Sequence, residues 1–368
     1  MTVLSVDERQ QLAQSVRAAC ERLSPEDRVR SVAYDGRQQD RGFDAELWKV
    51  LCTQVGVTAI GLPEELGGAG YGASALGVVA HELGRSLAPV PFVASAVLAT
   101  GLLLETDGAD ARLSALIEGE RTAAAVLTDD GGLWRPENVA VSADGDALTG
   151  VARHVLHGAA ADDLVVIASA GGELAVYAVD AGAPGVSIVE ERVLDGTRPM
   201  ATVTFTDARA TRLPTEAPVS ELVSRTVDVA IAVLSAEQVG ACERVLEIAT
   251  DYARTREQFN RPIGSFQAIK HKCADMLLDL EWARSASQAA LEAVDDTDES
   301  AWRASMAKAV CSESLRNAAH ANVQIHGGIG FTWEDSAHLY LRRARTDEVL
   351  FGKPAEHWDR LGAKADIL

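Results

Sequence analysis

The sequence predicts an α+β protein that is mostly α-helical, with one β-rich segment between two helical segments. The spacing of apolar residues is near 3.6 in the first third of the chain, near two in the middle, and near 3.6 again afterwards. Glycine and aspartate also interrupt the middle segment at short intervals, and the runs that follow it are long. We therefore predict an amino-terminal helical domain over residues 1–120, a middle β-barrel or sandwich over 121–217, and a carboxy-terminal helical bundle over 218–368.

The amino-terminal segment contains four runs with helical spacing, at residues 12–23, 43–55, 73–87 and 93–104. A glycine-rich stretch, GLPEELGGAGYGAS, lies between the second run and the third. We expect four helices, with this stretch as a loop.

The middle segment has the alternating pattern of β-strands. The runs DLVVIAS (163–169) and ELAVYAV (173–179) flank the turn Ala170-Gly171-Gly172, which predicts a β-hairpin. Residues 186–190 and 201–205 are predicted as further strands. Short strands with frequent turns are typical of an antiparallel sheet.

The carboxy-terminal segment contains three long helical runs, at 222–253, 266–294 and 302–325. Each run is long enough to span a helical bundle. The stretch RPIG at 261–264 and the acidic stretch at 295–298 separate them.

Composition excludes several classes of function. The net charge of −20 argues against nucleic acid as a partner, because phosphate binding requires clustered lysine and arginine. The five cysteines are scattered and the eight histidines form no HxH or HxxxH pair, so no disulfide framework, metal site or hydrolase triad is predicted. No apolar run is long enough to span a membrane, and the first residues lack a signal-peptide core. We expect a cytoplasmic protein.

Two motifs carry a specific resemblance. The stretch REQFNRPIGSFQ at 256–267 has the pattern RxxFxxPxxxFQ, and QIHGGIGF at 324–331 has the pattern QxxGGxGF. Together with the order helical, β, helical, they make the whole chain similar to the acyl-CoA dehydrogenase family. LPEELGGAGYG at 62–72 and HELGR at 81–85 resemble that family's amino-terminal domain. The resemblance implies a four-helix bundle at the carboxy terminus, an FAD cofactor, an acyl-CoA thioester substrate and an electron-transfer acceptor.

The resemblance also implies roles for residues of the first motif. Arg256 and Gln258 would contact the FAD pyrophosphate, since a guanidinium matches phosphate oxygens. Phe259 would pack near the adenosine, and Phe266 and Gln267 would touch the adenine side. The alternative is that Arg256 forms only a surface ion pair beside a helix cap.

The second motif is expected to face the same part of the cofactor. Gln324 and the turn through Gly327 and Gly328 would bring bare backbone against FAD. In this family these contacts reach across a subunit boundary, so that one subunit holds the flavin ring and its neighbour holds the adenosine half. The alternative is a tight turn within the bundle.

The chain departs from the family at the reactive end of the flavin. A Thr-Glu-Pro-x-x-Gly-Ser motif is expected near 126–134, where only Thr128 is retained as a flavin contact. A Trp-Ile-Thr motif is replaced by His154-Val155-Leu156. The Glu-Gly-Thr motif that supplies the catalytic base has become Phe351-Gly352-Lys353, and a benzyl side chain cannot accept a proton.

The catalytic base could lie at another position in the chain. Some relatives carry the glutamate ten residues before a glycine of the first bundle helix; if that glycine is Gly240, the position is occupied by Ala230. Glu237, two turns further along roughly the same face, is the remaining candidate, and its alternative role is a structural partner for an arginine. Asp347 and its neighbour Glu348 are expected on the solvated surface, facing away from Phe351.

The arginine run at 342–345 is expected to bond a neighbouring carboxylate, with a CoA phosphate as the alternative. Because the adenosine-side motifs are intact while the ring-side motifs are lost, the favoured hypothesis is a base-deficient partner subunit. Such a subunit would assemble with a paralogous chain as an α2β2 heterotetramer, as in the actinobacterial branch of the family that degrades steroid side chains. The alternatives are a homotetrameric dehydrogenase that uses Glu237, and a purely structural subunit that completes a partner's FAD site.

Overall fold

The computed structural model of the chain describes residues 4–35, 41–129, 131–296 and 298–364. The amino-terminal part is helical, as predicted. α1 begins with a capping box, in which the Glu8 amide donates to Ser5 Oγ and the Ser5 amide donates to the Glu8 carboxylate. The α-helices here are α1 (Val6–Leu23), α2 (Glu26–Arg30), α3 (Ala45–Val50), α4 (Gly72–Ser86), α5 (Thr100–Leu104) and α6 (Asp110–Ile117), joined in part by π-helical turns at Ser31–Asp35, Leu51–Val55 and Phe92–Ala99.

The middle part forms one eight-stranded sheet. Its strands are β1 (Ala123–Val126), β2 (Val141–Asp144), β3 (Ala147–Leu156), β4 (Asp163–Ala170), β5 (Glu173–Asp180), β6 (Val186–Glu190), β7 (Met200–Arg209) and β8 (Thr211–Leu213). They run in the order β6-β7-β3-β2-β4-β5-β8, and β1 also pairs with β4. The predicted hairpin is confirmed, with Ala170 opposite Glu173 and Asp163 opposite Asp180.

The sheet is mixed, not wholly antiparallel as the sequence pattern indicated. β1 and β2 both pair in parallel with β4, at Ala123–Val126 and at Ser142 and Ala143 respectively. Parallel pairing requires a long connection, and the segment between β1 and β4 contains β2 and β3. Strand direction depends on this connectivity, which apolar alternation does not encode.

The carboxy-terminal part is a helical bundle. Its helices are α7 (Val219–Thr255), α8 (Gln267–Glu292), α9 (Ser300–His326), α10 (Ala337–Val349) and α11 (Pro354–Lys364). A two-residue hairpin of β9 (Glu257–Gln258) and β10 (Arg261–Pro262) links α7 to α8. Within the described ranges, no helix is long and apolar enough to cross a membrane, and no three metal-ligating side chains cluster.

The amino-terminal domain meets the bundle where α4 crosses α7 at two glycines. A Cβ added to Gly84 would lie 2.0 Å from the Glu237 carbonyl oxygen, and a Cβ added to Gly240 would lie 1.9 Å from the His81 carbonyl oxygen. The neighbouring atom is backbone in both cases, so neither contact can be relieved by a side-chain rotation. The two glycines therefore set the distance between the helices.

We expect Gly240→Ala to lower the free energy of unfolding by about 1–3 kcal/mol, since overpacking forces the two helices apart. The measurement is urea denaturation of the full chain. Gly77→Ala on α4 is the control, because the atoms nearest to its Cβ belong to the Leu291 side chain, which can move, and not to backbone. Equal stability of Gly240→Ala and the natural protein would contradict the close-crossing argument.

Candidate functional site

The first predicted cofactor segment is a hairpin that projects from the end of α7. Phe259 and Asn260 have φ values of 55° and 59°, and these two left-handed residues form the turn between β9 and β10. Phe259 is 86% exposed, and its ring lies edge-on to Phe266 with 6.1 Å between the ring centroids. The hairpin therefore holds an aromatic side chain outside the core.

The polar residues of this segment are exposed to solvent. Arg256 terminates α7, where its amide donates to the Tyr252 carbonyl, and Arg256, Gln258 and Gln267 are all exposed. Among the described residues, Arg256 forms no ion pair. The alternative of a surface ion pair is therefore not supported.

The hairpin contains a second cation, Arg261, that was not predicted from the sequence. The Arg261 guanidinium lies 3.9 Å from the centroid of the Phe266 ring, in a cation–π arrangement. The signal was available, since Arg261 lies inside the RxxFxxPxxxFQ motif at one of its variable positions. Arg256 and Arg261 thus provide two guanidinium groups on one exposed hairpin.

The second predicted segment is the turn after α9. Gln324 is exposed in the last turn of α9, and Gly327 has a φ of 67°, a conformation that favours glycine. Gly328 has no such requirement, and a Cβ added there would meet no atom of this chain within 4 Å. The chain's own packing therefore does not explain glycine at 328.

The ring-side segments surround a very small cavity. Its volume is about 40 Å³, and its walls include Thr128, Trp134, His154, Val227 and Phe351. Small-molecule sites usually measure roughly 300–1,000 Å³. The cavity is therefore too small for a tricyclic ring system.

Phe351 closes this cavity. It is 6% exposed, has a φ of 59°, and its amide donates to the Gly131 carbonyl at 3.3 Å. His357 Nε2 lies 3.0 Å from the Phe351 carbonyl oxygen, and burial lowers the pKa of His357 to about 4, so the ring is neutral. A neutral His357 can donate its Nε2 hydrogen to that carbonyl, which fixes Phe351 from a second side.

Thr128 and His154 are already bonded within the chain. The Thr128 hydroxyl oxygen accepts from the Gly131 amide at 3.1 Å, and Thr128 is buried. His154 has a φ of 55° and its Nδ1 lies 2.5 Å from the Glu191 carboxylate. Asp130, in the stretch where a flavin motif was expected, lies outside the described residues.

Glu237 lies between two arginines. Both the Arg198 and Arg343 guanidinium groups donate to Glu237 Oε1, and Arg343 also donates to Asp195 at 2.7 Å. All four side chains are buried. The Glu237 carboxylate is bonded to two buried guanidinium groups and is not directed at an open site, so the geometry favours the structural alternative for Glu237.

The prediction that Asp347 lies on the solvated surface is wrong. It is fully buried on α10, and its Oδ1 lies 2.9 Å from Arg198 Nε. Burial raises the pKa of Asp347 to about 6, while Arg198 and Arg343 oppose this effect. Helical spacing alone could not reveal that Arg198, from the loop before β7, reaches this face of α10.

The run at 342–345 bonds carboxylates, as predicted. Arg343 contacts Asp195 and Glu237, and Arg345 donates to Glu348 at 2.6 Å. Six buried side chains form one cluster of three cations and three carboxylates: Arg198, Lys308, Arg343, Asp195, Glu237 and Asp347. Lys308 joins it through Nζ, which donates to the backbone carbonyl of Asp347. The cluster joins the middle domain to α7, α9 and α10.

Asp228 is a buried carboxylate that sequence analysis did not single out. Burial raises its pKa to about 6, and Arg360 on α11 opposes this effect. It precedes Ala230 by two positions, which separates their directions by roughly 200° around the helix. Asp228 therefore does not replace a carboxylate at position 230.

The two halves of the region fit FAD differently. On the adenosine side, two guanidinium groups, three amide side chains, two aromatic rings and a glycine turn are residue types suited to the pyrophosphate and adenine groups of the cofactor. On the ring side, a cavity of about 40 Å³ does not accept an isoalloxazine. The fit is therefore confined to the adenosine half.

Comparison with known proteins agrees with this architecture. Residues 6–113 match the model of the acyl-CoA dehydrogenase amino-terminal domain, and residues 221–365 match that of the carboxy-terminal domain. Acyl-CoA dehydrogenase IpdE2 of Mycobacterium tuberculosis is 33% identical over 356 residues, which cover 96% of each chain.

Solved structures with this fold include two complexes. The ChsE4-ChsE5 complex from Mycobacterium tuberculosis has a chain that superimposes with a TM-score of 0.88 at 27% identity, over 100% of both chains. The Tcur3481-Tcur3483 steroid ACAD G363A variant gives 0.86 at 29% identity, over 98% of both chains. The chain studied here therefore belongs to the acyl-CoA dehydrogenase family of FAD-dependent oxidoreductases.

Proposed function

We propose that this chain is the base-deficient partner subunit of a heteromeric acyl-CoA dehydrogenase. The observation that carries the proposal is the contrast between an exposed adenosine-side surface and a ring-side cavity of about 40 Å³. A subunit that lends this surface to a neighbour's FAD, without holding a flavin ring itself, needs only the first feature. We infer that the assembled complex dehydrogenates a CoA thioester between its α and β carbons.

The positions of the carboxylates support the same proposal. Phe351 and Ala230 are buried apolar residues at the two positions where the resemblance to the family, with Gly240 as the helix glycine, places a base. The carboxylate of the remaining candidate, Glu237, accepts hydrogen bonds from Arg198 and Arg343. The proton of the α carbon is then accepted by a carboxylate of the partner, not by this chain.

The residues of this chain bind and orient the cofactor in the proposal. The Arg256 guanidinium would hold pyrophosphate oxygens, Gln258 and Gln324 would donate from their amides, and the turn at Gly328 would allow close approach of the backbone. When bound, FAD accepts the hydride from the β carbon and passes electrons to an electron-transfer acceptor. The partner is a paralogous chain, which the similarity to the ChsE4-ChsE5 complex and to the Tcur3481-Tcur3483 steroid ACAD supports.

The proposal is tested by the flavin content of the chain purified alone and after co-expression with its paralogue. Alone, the chain should carry no flavin absorbance, while the co-expressed complex should carry one flavin for each pair of chains. Size-exclusion chromatography should place the complex well above the 38.9 kDa mass of this chain. A flavin-saturated homotetramer of this chain would contradict the proposal and favour a homomeric dehydrogenase.

We expect Arg256→Ala to weaken FAD binding by the complex about tenfold to a hundredfold, because a charged hydrogen bond contributes about 1.5–3 kcal/mol. The measurement is flavin fluorescence during dilution of the complex. Arg254→Ala is the matched control. Arg254 lies in the last turn of α7, two residues before Arg256, and among the described residues it pairs only with Asp251. Equal weakening by both changes would instead indicate a general effect of lost positive charge.

A further inference from the structure

A row of five side chains with alternating charge runs across four helices at the junction of α4 and α7. Its members are Arg17 on α1, Glu82 and His81 on α4, Glu243 on α7 and Arg284 on α8. Arg17 donates to both oxygens of Glu82, at 2.8 and 2.9 Å, and Arg284 donates to Glu243 at 3.1 Å. His81 lies between the two carboxylates, so it is the central link of the row.

Both ring nitrogens of His81 face a carboxylate oxygen. Nδ1 lies 3.2 Å from Glu82 Oε1, and Nε2 lies 3.2 Å from Glu243 Oε2. A neutral imidazole carries one N–H and one lone pair, so one of the two contacts would then bring a lone pair against a carboxylate. An imidazolium donates through both nitrogens. The geometry therefore fits the protonated ring.

The pKa values of the three central groups agree with this geometry. Burial lowers the pKa of His81, but its hydrogen bonds to Glu243 and Glu82 outweigh this effect and raise the pKa above its usual value. The pKa of Glu243 falls to about 2, and the hydrogen bond from His81 is the largest cause. Burial raises the pKa of Glu82, but the hydrogen bonds from His81 and Arg17 outweigh it and lower the pKa. Both carboxylates therefore stay ionised while His81 titrates.

The other charged groups around His81 keep the junction together when the proton leaves. Arg85 joins α4 to Glu243 at 3.0 Å and to Glu247 at 2.9 Å. The His81 carbonyl also lies against α7, where a Cβ added to Gly240 would come within 1.9 Å of it. Loss of the proton therefore weakens the junction without separating the helices. The remaining charged side chains near the row are Arg9 on α1, and Glu281 and Glu292 on α8.

We propose that His81 is a pH-sensitive link between the amino-terminal domain and the carboxy-terminal bundle, formed while its ring is protonated. Arg17 and Glu82 belong to the domain and Glu243 and Arg284 to the bundle, so the proton on His81 completes the connection. Histidine is the member of the row whose charge changes near neutral pH. The proposal concerns this junction alone and does not depend on the proposed function.

The direction of the pH dependence follows from the raised pKa of His81. The stabilisation is fully present below the pKa of the unfolded chain, about 6.5, where both states bind the proton. It is lost as the pH rises through the higher pKa of the folded chain, because the folded state must then give up a proton that it binds more tightly. The link should therefore be weaker in mildly alkaline solution than near pH 6.

The test is urea denaturation of the full chain and of His81→Gln between about pH 6 and about pH 9. Glutamine is neutral throughout this range, so the variant lacks the link at every pH. We expect the ratio of folded to unfolded natural chain to fall with pH relative to His81→Gln, by up to about tenfold for each unit by which folding raises the pKa of His81. A difference between the two chains that is constant across this range, or that grows with pH, overturns the proposal.

Arg85→Gln is the matched control. Arg85 also joins α4 to Glu243, but its guanidinium keeps its charge throughout this range, so the loss of stability caused by Arg85→Gln should persist at about pH 9. If that loss disappears over the same interval as the effect of His81→Gln, the pH dependence does not belong to His81 and the proposal is wrong.

A second measurement needs no variant. Deuterium exchange at the imidazole Cε1 position, followed peptide by peptide with mass spectrometry, gives the titration midpoint of His81 in the natural chain. We expect a midpoint above the usual value of about 6.5. A midpoint at or below that value overturns the proposal, whether or not His81→Gln folds.

Discussion

Glu237→Gln should lower the free energy of unfolding by about 3–5 kcal/mol, the usual cost of breaking a buried ion pair from one side. Glutamine keeps the shape of the side chain but removes the charge, so Arg198 and Arg343 would remain buried without their shared carboxylate. Dehydrogenase activity per folded complex should be essentially unchanged, because Glu237 is not the base in our proposal. The measurements are urea denaturation and activity normalised to bound flavin.

Glu247→Gln is the matched control for this prediction. Glu247 also lies on α7 and also accepts from two arginines, Arg85 and Arg244, but its side chain is 37% exposed. Its replacement should cost less than about 1 kcal/mol, as expected of a surface pair. If Glu237→Gln leaves stability intact and abolishes flavin reduction by an acyl-CoA, then Glu237 is the base and the partner-subunit proposal is wrong.

Removing the carboxylate at the base position of the paralogous partner should lower the activity of the assembled complex about 10²–10⁴-fold, which is the usual contribution of a general base. The reason is that this chain offers no replacement, with Phe351 and Ala230 at the two expected positions. The measurement is reduction of bound flavin by an acyl-CoA in a single turnover, which separates chemistry from product release.

Phe351→Leu in this chain is the control for removal of the partner's carboxylate. It keeps an apolar side chain at position 351, so the rate of flavin reduction should stay within about twofold of the natural complex, well below the effect of a lost base. Flavin content should also be unchanged, since no ring is expected in this chain's cavity. Full activity of a complex whose partner lacks its carboxylate would place the base elsewhere and contradict the proposal.

The fold was predictable because its elements are long and strongly periodic. Helical spacing identified α4 and α7 nearly to their ends, and alternation with a glycine turn identified the β4–β5 hairpin. The parallel pairing of β1 with β4 was not predictable, because it depends on which strands the chain brings together across a long connection. Local pattern determined the elements, and connectivity determined the sheet.

The candidate site was predictable only where it depends on residue type. Phe351 and Ala230 are chemically unable to act as bases, so the lack of a carboxylate at both positions follows from the sequence alone. The motif around Arg256 likewise predicts a surface suited to phosphate.

Burial and distance were decided by the tertiary structure. The sequence predicts Asp347 on the solvated surface, yet it is buried and Arg198 pairs with it. Glu237 reads as a candidate base until Arg198 and Arg343, 39 and 106 positions away, reach it. A residue's type fixes which reactions it can perform, whereas its pKa, its partners and its access to a ligand depend on groups that only folding brings within a few ångströms.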